Sequence, residues 1–166
     1  MIEVVVTDAN IFIDLLALEL IDPFLVQDIE IWTTQEVLLE LYPHDAELII
    51  SYDSIHVQNE LDIVHTDKRQ FSRHFSVADK SLLRLVSTLK TAILLSGEKR
   101  MRSWCKRHNI ETHGIIWVLQ VLINNSDLSS EQAAFKLKEL LIINKWLPMK
   151  ICLDQIEKWT NEKPVL

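Results

Sequence analysis

Four acidic residues fall at places from which a folded chain could gather them. Asp8 directly follows the β-branched run Glu3 to Thr7, and Glu40 lies in a helical stretch after a second apolar run. Asp79 sits in the first turn of a long amphipathic pattern, and Glu98 lies just past the apolar run Ala92 to Leu95. Clustered carboxylates repel one another and resist desolvation, so such a group needs protons or cations to neutralise it. A divalent cation is the simplest remedy. Oxygen donors with no Cys or His at ligand spacing favour Mg²⁺ or Mn²⁺ over Zn²⁺. Each acid also has an ordinary reading: Asp8 as the cap of a helix starting near Ile11, Asp79 and Glu98 as complements to helix macrodipoles, Glu40 as a solvated helix residue. The recurrence of an acid directly after a buried strand, at Asp8 and again at Glu98, favours the shared reading, because solvated faces do not predict that placement.

The elements that must position these acids follow from periodicity. Glu3 to Thr7 reads as a strand, Asp8-Ala9-Asn10 as a polar turn, and Ile11, Leu15 and Leu18 as one helix face. Ile29 to Thr34 reads as a second strand, after which Thr33 or Thr34 can cap a helix containing Val37, Leu38 and Leu41 and ending near Pro43. Ile55 to Val57 gives a short third strand, and the polar stretch Glu60 to Phe75 a loop. Ser76 can cap a helix carrying Leu82, Leu83, Leu85, Val86 and Leu89. Then come a strand at Ala92 to Leu95, a basic helix through Met101, Trp104 and Cys105, a strand at Ile110 to His113 and an apolar helix from Gly114 to about Ile123. Helices over Ser129 to Leu141 and from Pro148 to about Trp159 complete the chain. Strands alternating with helices predict a parallel sheet covered on both faces, whose sites form at the strands' carboxyl ends beside a topological switch point.

Composition narrows the chemistry. The 166 residues, 48% of them hydrophobic, suffice for one compact domain. Only two glycines occur, Gly97 and Gly114, which excludes a Gly-rich phosphate loop. Cys105 and Cys152 lack paired spacing, so a cysteine zinc site and a disulfide scaffold are both excluded and a reducing compartment is expected. The start of the chain has no basic segment ahead of an apolar one, and no apolar run approaches the roughly 20 residues of a membrane helix. A cytoplasmic protein with no membrane partner is expected. The net charge of −7 conceals an asymmetry: residues 1 to 67 carry fifteen acids and no Lys or Arg, whereas residues 68 to 166 carry all seventeen Lys and Arg against nine acids. An acidic pocket with a basic surface beside it is one way to arrange such a chain.

The segments Val4-Val5-Val6-Thr7-Asp8-Ala9-Asn10, Thr33 to Leu41 with Glu40-Leu41, Val77-Ala78-Asp79, and Leu94-Leu95-Ser96-Gly97-Glu98-Lys99-Arg100 resemble, in order and spacing, the successive motifs of PIN domains, the nuclease domains of VapC-type toxins and related prokaryotic proteins. The resemblance covers about residues 2 to 124. It implies a three-layer α/β/α fold with a central, mostly parallel sheet: a nuclease core over 1–124, and over 125–166 a helical C-terminal extension packed on the same domain. His113-Gly114-Ile115-Ile116-Trp117, the two-helix pattern after it and Leu147-Pro148 are similar to a subgroup with such an extension.

The same resemblance implies a Mg²⁺- or Mn²⁺-dependent ribonuclease in which Asp8 and Asp79 bind metal. Glu98 falls at the fourth acidic position, where Asp is usual, and Glu40 at the second motif. Ser96 falls where the family places a hydroxyl that orients the acids, and Asn10 where it places a polar partner of the first acid. The extra methylene of Glu98 moves its carboxylate by about 1.5 Å. Glu36, one helical turn before Glu40, is its rival. The implied mechanism is metal-assisted phosphodiester hydrolysis, with Asp8, Asp79 and Glu98 holding the cation and Glu40 binding it through water or positioning the nucleophile.

Because a carboxylate pocket repels RNA, affinity must come from a basic rim and the cation. Lys99, Arg100, Arg102, Lys106 and Arg107 supply one group, and Lys68, Arg69, Arg73, His65 and His74 a second. A solvated basic face is the ordinary alternative for both. His44, His56, His108 and His113 have no partners at catalytic spacing and read as surface or satisfied residues. The five tryptophans read as core or interface anchors, with Trp146 and Trp159 the candidates for a dimer or partner surface. The expected function is a single-strand-preferring endoribonuclease, the toxin of a toxin-antitoxin pair or a stand-alone relative, with an antitoxin and a second copy as possible partners. The competing expectation is a catalytically weak PIN-like binding or scaffold module. A haloacid dehalogenase-type phosphatase would need a second acid two residues after Asp8, where this chain has Asn10.

Overall fold

The computed structural model describes residues 3–59, 71–89 and 91–162. The chain divides into two compact units, residues 1–13 with 28–113, and residues 14–27 with 114–166. The stretches 1–124 and 125–166 follow motif coverage, whereas these units follow packing.

The first unit is built on five parallel strands: β1 (Glu3–Thr7), β2 (Ile29–Thr34), β3 (Ile55–Gln58), β4 (Ile93–Leu95) and β5 (Thr112–His113). Their order is β3-β2-β1-β4-β5. Val5 and Val6 are wholly buried, as the central strand of a sheet covered on both faces requires. Val6 registers with Trp32 on one side and Leu94 on the other. The chain winds outward from β1 to β2 and β3, then returns to the opposite side for β4 and β5. This leaves a switch point between β1 and β4. The three-layer α/β/α class expected from the sequence is the one the chain adopts, with a fully parallel sheet.

Two helical expectations need correction. The helix expected through Leu41 is α3 (Gln35–Leu38), capped by the Thr34 hydroxyl on the Val37 N–H, and it stops three residues early. Pro43 does not end a helix; it starts α4 (Pro43–Ile50), with Tyr42 extended at its N-cap. Proline fits the first helical position because its missing N–H would have no partner there, and its ring forces the preceding residue out of the helical region. The stretch Glu60 to Gln70 of the expected loop lies outside the described residues. The other helices of this unit are α5 (Val77–Thr88) and α6 (Lys99–Arg107), and α5 packs against β1, β2 and α3.

The second unit is helical. After the end of α1 (Ala9–Ala17) it contains the short α2 (Ile21–Leu25), which periodicity did not predict, then α7 (Ile115–Asn124), α8 (Ser130–Ile143) and α9 (Met149–Asn161). A reciprocal capping box between Ser129 and Gln132 starts α8. Trp159, expected at a partner surface, is instead fully buried, and its indole N–H donates to Gln120 Oε1 at 3.1 Å. Its spacing from Cys152 and Ile156, both buried, places all three on one face of α9. Trp146 is 96% exposed.

Asp14 is buried in this unit and accepts a hydrogen bond from Asn144 Nδ2 at 2.9 Å. Burial raises its pKa from 3.8 to about 6, against the lowering effect of that bond. A raised acid pKa means that the folded chain holds the proton more tightly than the unfolded one. Stability therefore falls as pH rises from about 4 to about 6, and the full cost persists above that window. The Asp14→Asn variant keeps an acceptor for Asn144 and removes the charge. It should be more stable than the native chain by about 2 kcal/mol at pH 7, with the gap closing towards pH 4. Urea denaturation at both pH values measures this, and a pH-independent difference would contradict it.

Candidate active site

Asp8 is the first residue past β1. Its backbone N–H donates to Leu95 O at 3.2 Å, so the ends of β1 and β4 are joined at the switch point. Its Oδ1 accepts the Ile11 N–H at 2.9 Å, which caps α1, and the residue is only 5% exposed. The ordinary reading of Asp8 as a cap is thus realised, and the cap also fixes the carboxylate beside the strand ends. Asn10 follows on the first turn of α1, exposed.

Past β4, the buried Ser96 shapes the turn into α6. Its Oγ accepts the Glu98 N–H at 3.1 Å and contacts Met101 Sδ at 3.9 Å. Glu98 occupies the N-cap position of α6, yet its side chain makes no capping bond. The helix-cap account that serves Asp8 therefore does not apply to Glu98, which is half-buried.

Asp79 stands at the third position of α5 and shares a reciprocal capping box with Ser76. Its Oδ2 accepts the Ser76 N–H at 2.9 Å, and its own N–H reaches Ser76 Oγ at 3.0 Å. Glu40 lies past α3 in a turn where its N–H reaches Val37 O at 3.0 Å. Its pKa is raised, first by partial burial and then by the negative charges of Asp79 and Glu98, while a hydrogen bond with the Ser76 side chain acts in the opposite direction. Acids from three separate segments thus share one electrostatic environment. Ser76, anticipated only as a cap, links two of them, and its position three residues before Asp79 was the available signal.

Glu36 and Glu40 do not continue on one helical face, because α3 ends between them. Glu36 is half-buried, and its Oε2 is enclosed without a hydrogen-bond partner. Among the described residues, no three Asp, Glu, His or Cys side chains converge closely enough to hold a metal ion. The donor set nonetheless fits a hard dication in chemistry and charge. It offers carboxylate oxygens only, and after burial the charges of Asp79 and Glu98 add to the raised proton affinity of Glu40.

The basic residues divide into those on α6 and those before α5. Lys99, Arg100, Arg102, Lys106 and Arg107 are exposed, while Met101, Trp104 and Cys105 face the interior. Arg73 and His74 are exposed shortly before Ser76; His65, Lys68 and Arg69 lie outside the described residues. His108 has its Nδ1 2.8 Å from Trp104 O and stacks on that ring, and His113 lies 2.7 Å from Glu111. Both are satisfied residues, as expected. Burial raises the thiol pKa of Cys105 to about 12 and that of Cys152 in the same direction, so neither is poised as a nucleophile.

Residues 4–161 match a family model described as a PIN domain. No curated protein matches the chain. No helix among the described residues is long and apolar enough to cross a membrane.

Proposed function

The chain belongs to the PIN domain family, whose members are generally nucleases, and on that premise we propose that it is a divalent-metal-dependent endoribonuclease. PIN domain nucleases act on nucleic acid and typically use divalent metals. The supporting observation is the coupling of Glu40 to Asp79 and Glu98 across three segments, beside the strand ends where Asp8 is anchored. A purely structural use of these acids gives no reason for the charges of Asp79 and Glu98 to act on Glu40 from two other segments.

In this reading Asp8, Asp79 and Glu98 would supply the carboxylates for Mg²⁺ or Mn²⁺. When bound, the cation supplies a water of lowered pKa and positive charge for the phosphate oxygens. Glu40, with its raised proton affinity, is suited to accept the proton of the attacking water, and Ser76 holds its carboxylate in place. Ser96 sets the turn that carries the longer Glu98 side chain, and Asn10 is the polar neighbour of Asp8. Lys99, Arg100 and Arg102 draw the phosphates towards the pocket, joined by Arg73 and the neighbouring Lys68 and Arg69. A toxin of a toxin-antitoxin pair fits this arrangement, its antitoxin presenting a basic side chain to the carboxylates.

A second reading, a catalytically weak binding module, draws on the absence of a converged trio of ligands among the described residues. Cleavage of a structured RNA separates the two. We expect Mn²⁺-dependent scission that is abolished by EDTA and restored by excess Mn²⁺. Equal RNA stability with Mn²⁺ and with EDTA would leave the binding-module reading.

A further inference from the structure

We infer that Tyr42 and His44 form a stacking platform for an unstacked nucleobase of the RNA strand; this rests on the ribonuclease reading. Tyr42 is 73% exposed, and its ring lies 5.9 Å from that of His44 at an interplanar angle of 14°. An exposed tyrosine with a parallel ring beside it offers an aromatic face that neither the core nor a helix interface uses. Its backbone is held by Pro43, which keeps Tyr42 extended at the start of α4. His44 Nε2 lies 3.2 Å from Asp45 Oδ1, which orients the second ring.

The position suits the task. Tyr42 follows Glu40 by two residues, at most about 7 Å along the chain. Leu39, directly before Glu40, and Val77, two residues before Asp79, are 77% and 65% exposed, so each of these acids has an exposed apolar side chain close by in sequence. The cations of α6 follow β4, on the other side of β1 in the sheet order from the β2 side that carries Tyr42. A single strand entering such a site can place its phosphates towards the cations and an unstacked base on the rings. A duplex keeps its bases stacked internally and has no free face to offer. Stacking tolerates any base, so this platform adds affinity for an unpaired base without reading its sequence.

The test is fluorescence anisotropy in EDTA, comparing native chain, Tyr42→Ala and Tyr42→Phe on a single-stranded oligoadenylate, an abasic strand of equal length and a duplex. Tyr42→Ala should weaken single-strand binding by about tenfold, while Tyr42→Phe, which keeps the ring, binds as the native chain does. The abasic strand and the duplex should not distinguish the three proteins. Equal weakening on the abasic strand or the duplex overturns the platform, since the ring would then be contacting backbone. If Tyr42→Ala binds the single strand normally while Mn²⁺-dependent cleavage by the native chain persists, the platform fails and the nuclease stands. If the native chain neither binds nor cleaves RNA, both fail.

Discussion

The Asp8→Asn variant should lose RNA cleavage by about a hundredfold or more while remaining folded. The loss follows from removing a central negative charge from a site that works by electrostatic organisation, where deleting a single contributor typically costs about 10²–10³ in rate. Retention of the fold follows from what Asp8 does for α1. Its Oδ1 accepts the Ile11 N–H, and an asparagine amide oxygen offers the same acceptor at a position where Asn caps as well as Asp. Removal of a charge from a residue only 5% exposed also removes a desolvation cost, so the melting temperature should be unchanged or raised. Cleavage assays in Mn²⁺ with circular dichroism melting on the same samples read both quantities. Native-level cleavage by the variant would remove Asp8 from the mechanism, and a collapsed melting transition would show that its role is structural.

The largest stability effect should come from Trp159→Ala. The indole is fully buried on α9 and its N–H is paired with Gln120 on α7, so truncation leaves a large cavity and an acceptor without its donor. Such a substitution costs about 3–5 kcal/mol. For a chain of this length that corresponds to a fall in melting temperature of roughly 10 °C. Trp146→Ala is the internal control: at 96% exposure it should stay within about 0.5 kcal/mol of the native chain. Guanidinium unfolding of both variants checks the contrast. If Trp146→Ala were the more damaging, the burial of the two rings would be assigned the wrong way round.

The strand ends were legible in the sequence, because a β-branched run followed by a polar turn and a helical period has few other solutions. Asp8 follows β1 and Ser96 follows β4, and the bond from the Asp8 N–H to Leu95 O joins those two strand ends at the switch point. The capped start of α5 was legible for the same reason, Ser76 preceding a broad apolar face. Pro43 was misjudged because proline ends one helix or begins the next with similar ease, and only the extended Tyr42 before it settles the choice. Trp159 was misjudged by treating the tail as an appendage, although Cys152, Ile156 and Trp159 already recur at helical spacing. The motif order grouped Glu40 with Asp79 and Glu98, but how strongly their charges act on Glu40 had no signal in the sequence. It depends on how α5 packs against α3 and the sheet, and no local pattern encodes that distance.

Asp79 has one further consequence. Its carboxylate closes the first turn of α5, so the proposed chemistry and the ordering of that turn are one event. If Asp79 serves the proposed nuclease, a newly made chain stays inactive until this helix has wound, and fraying of that single turn is enough to switch the site off with the rest of the fold intact.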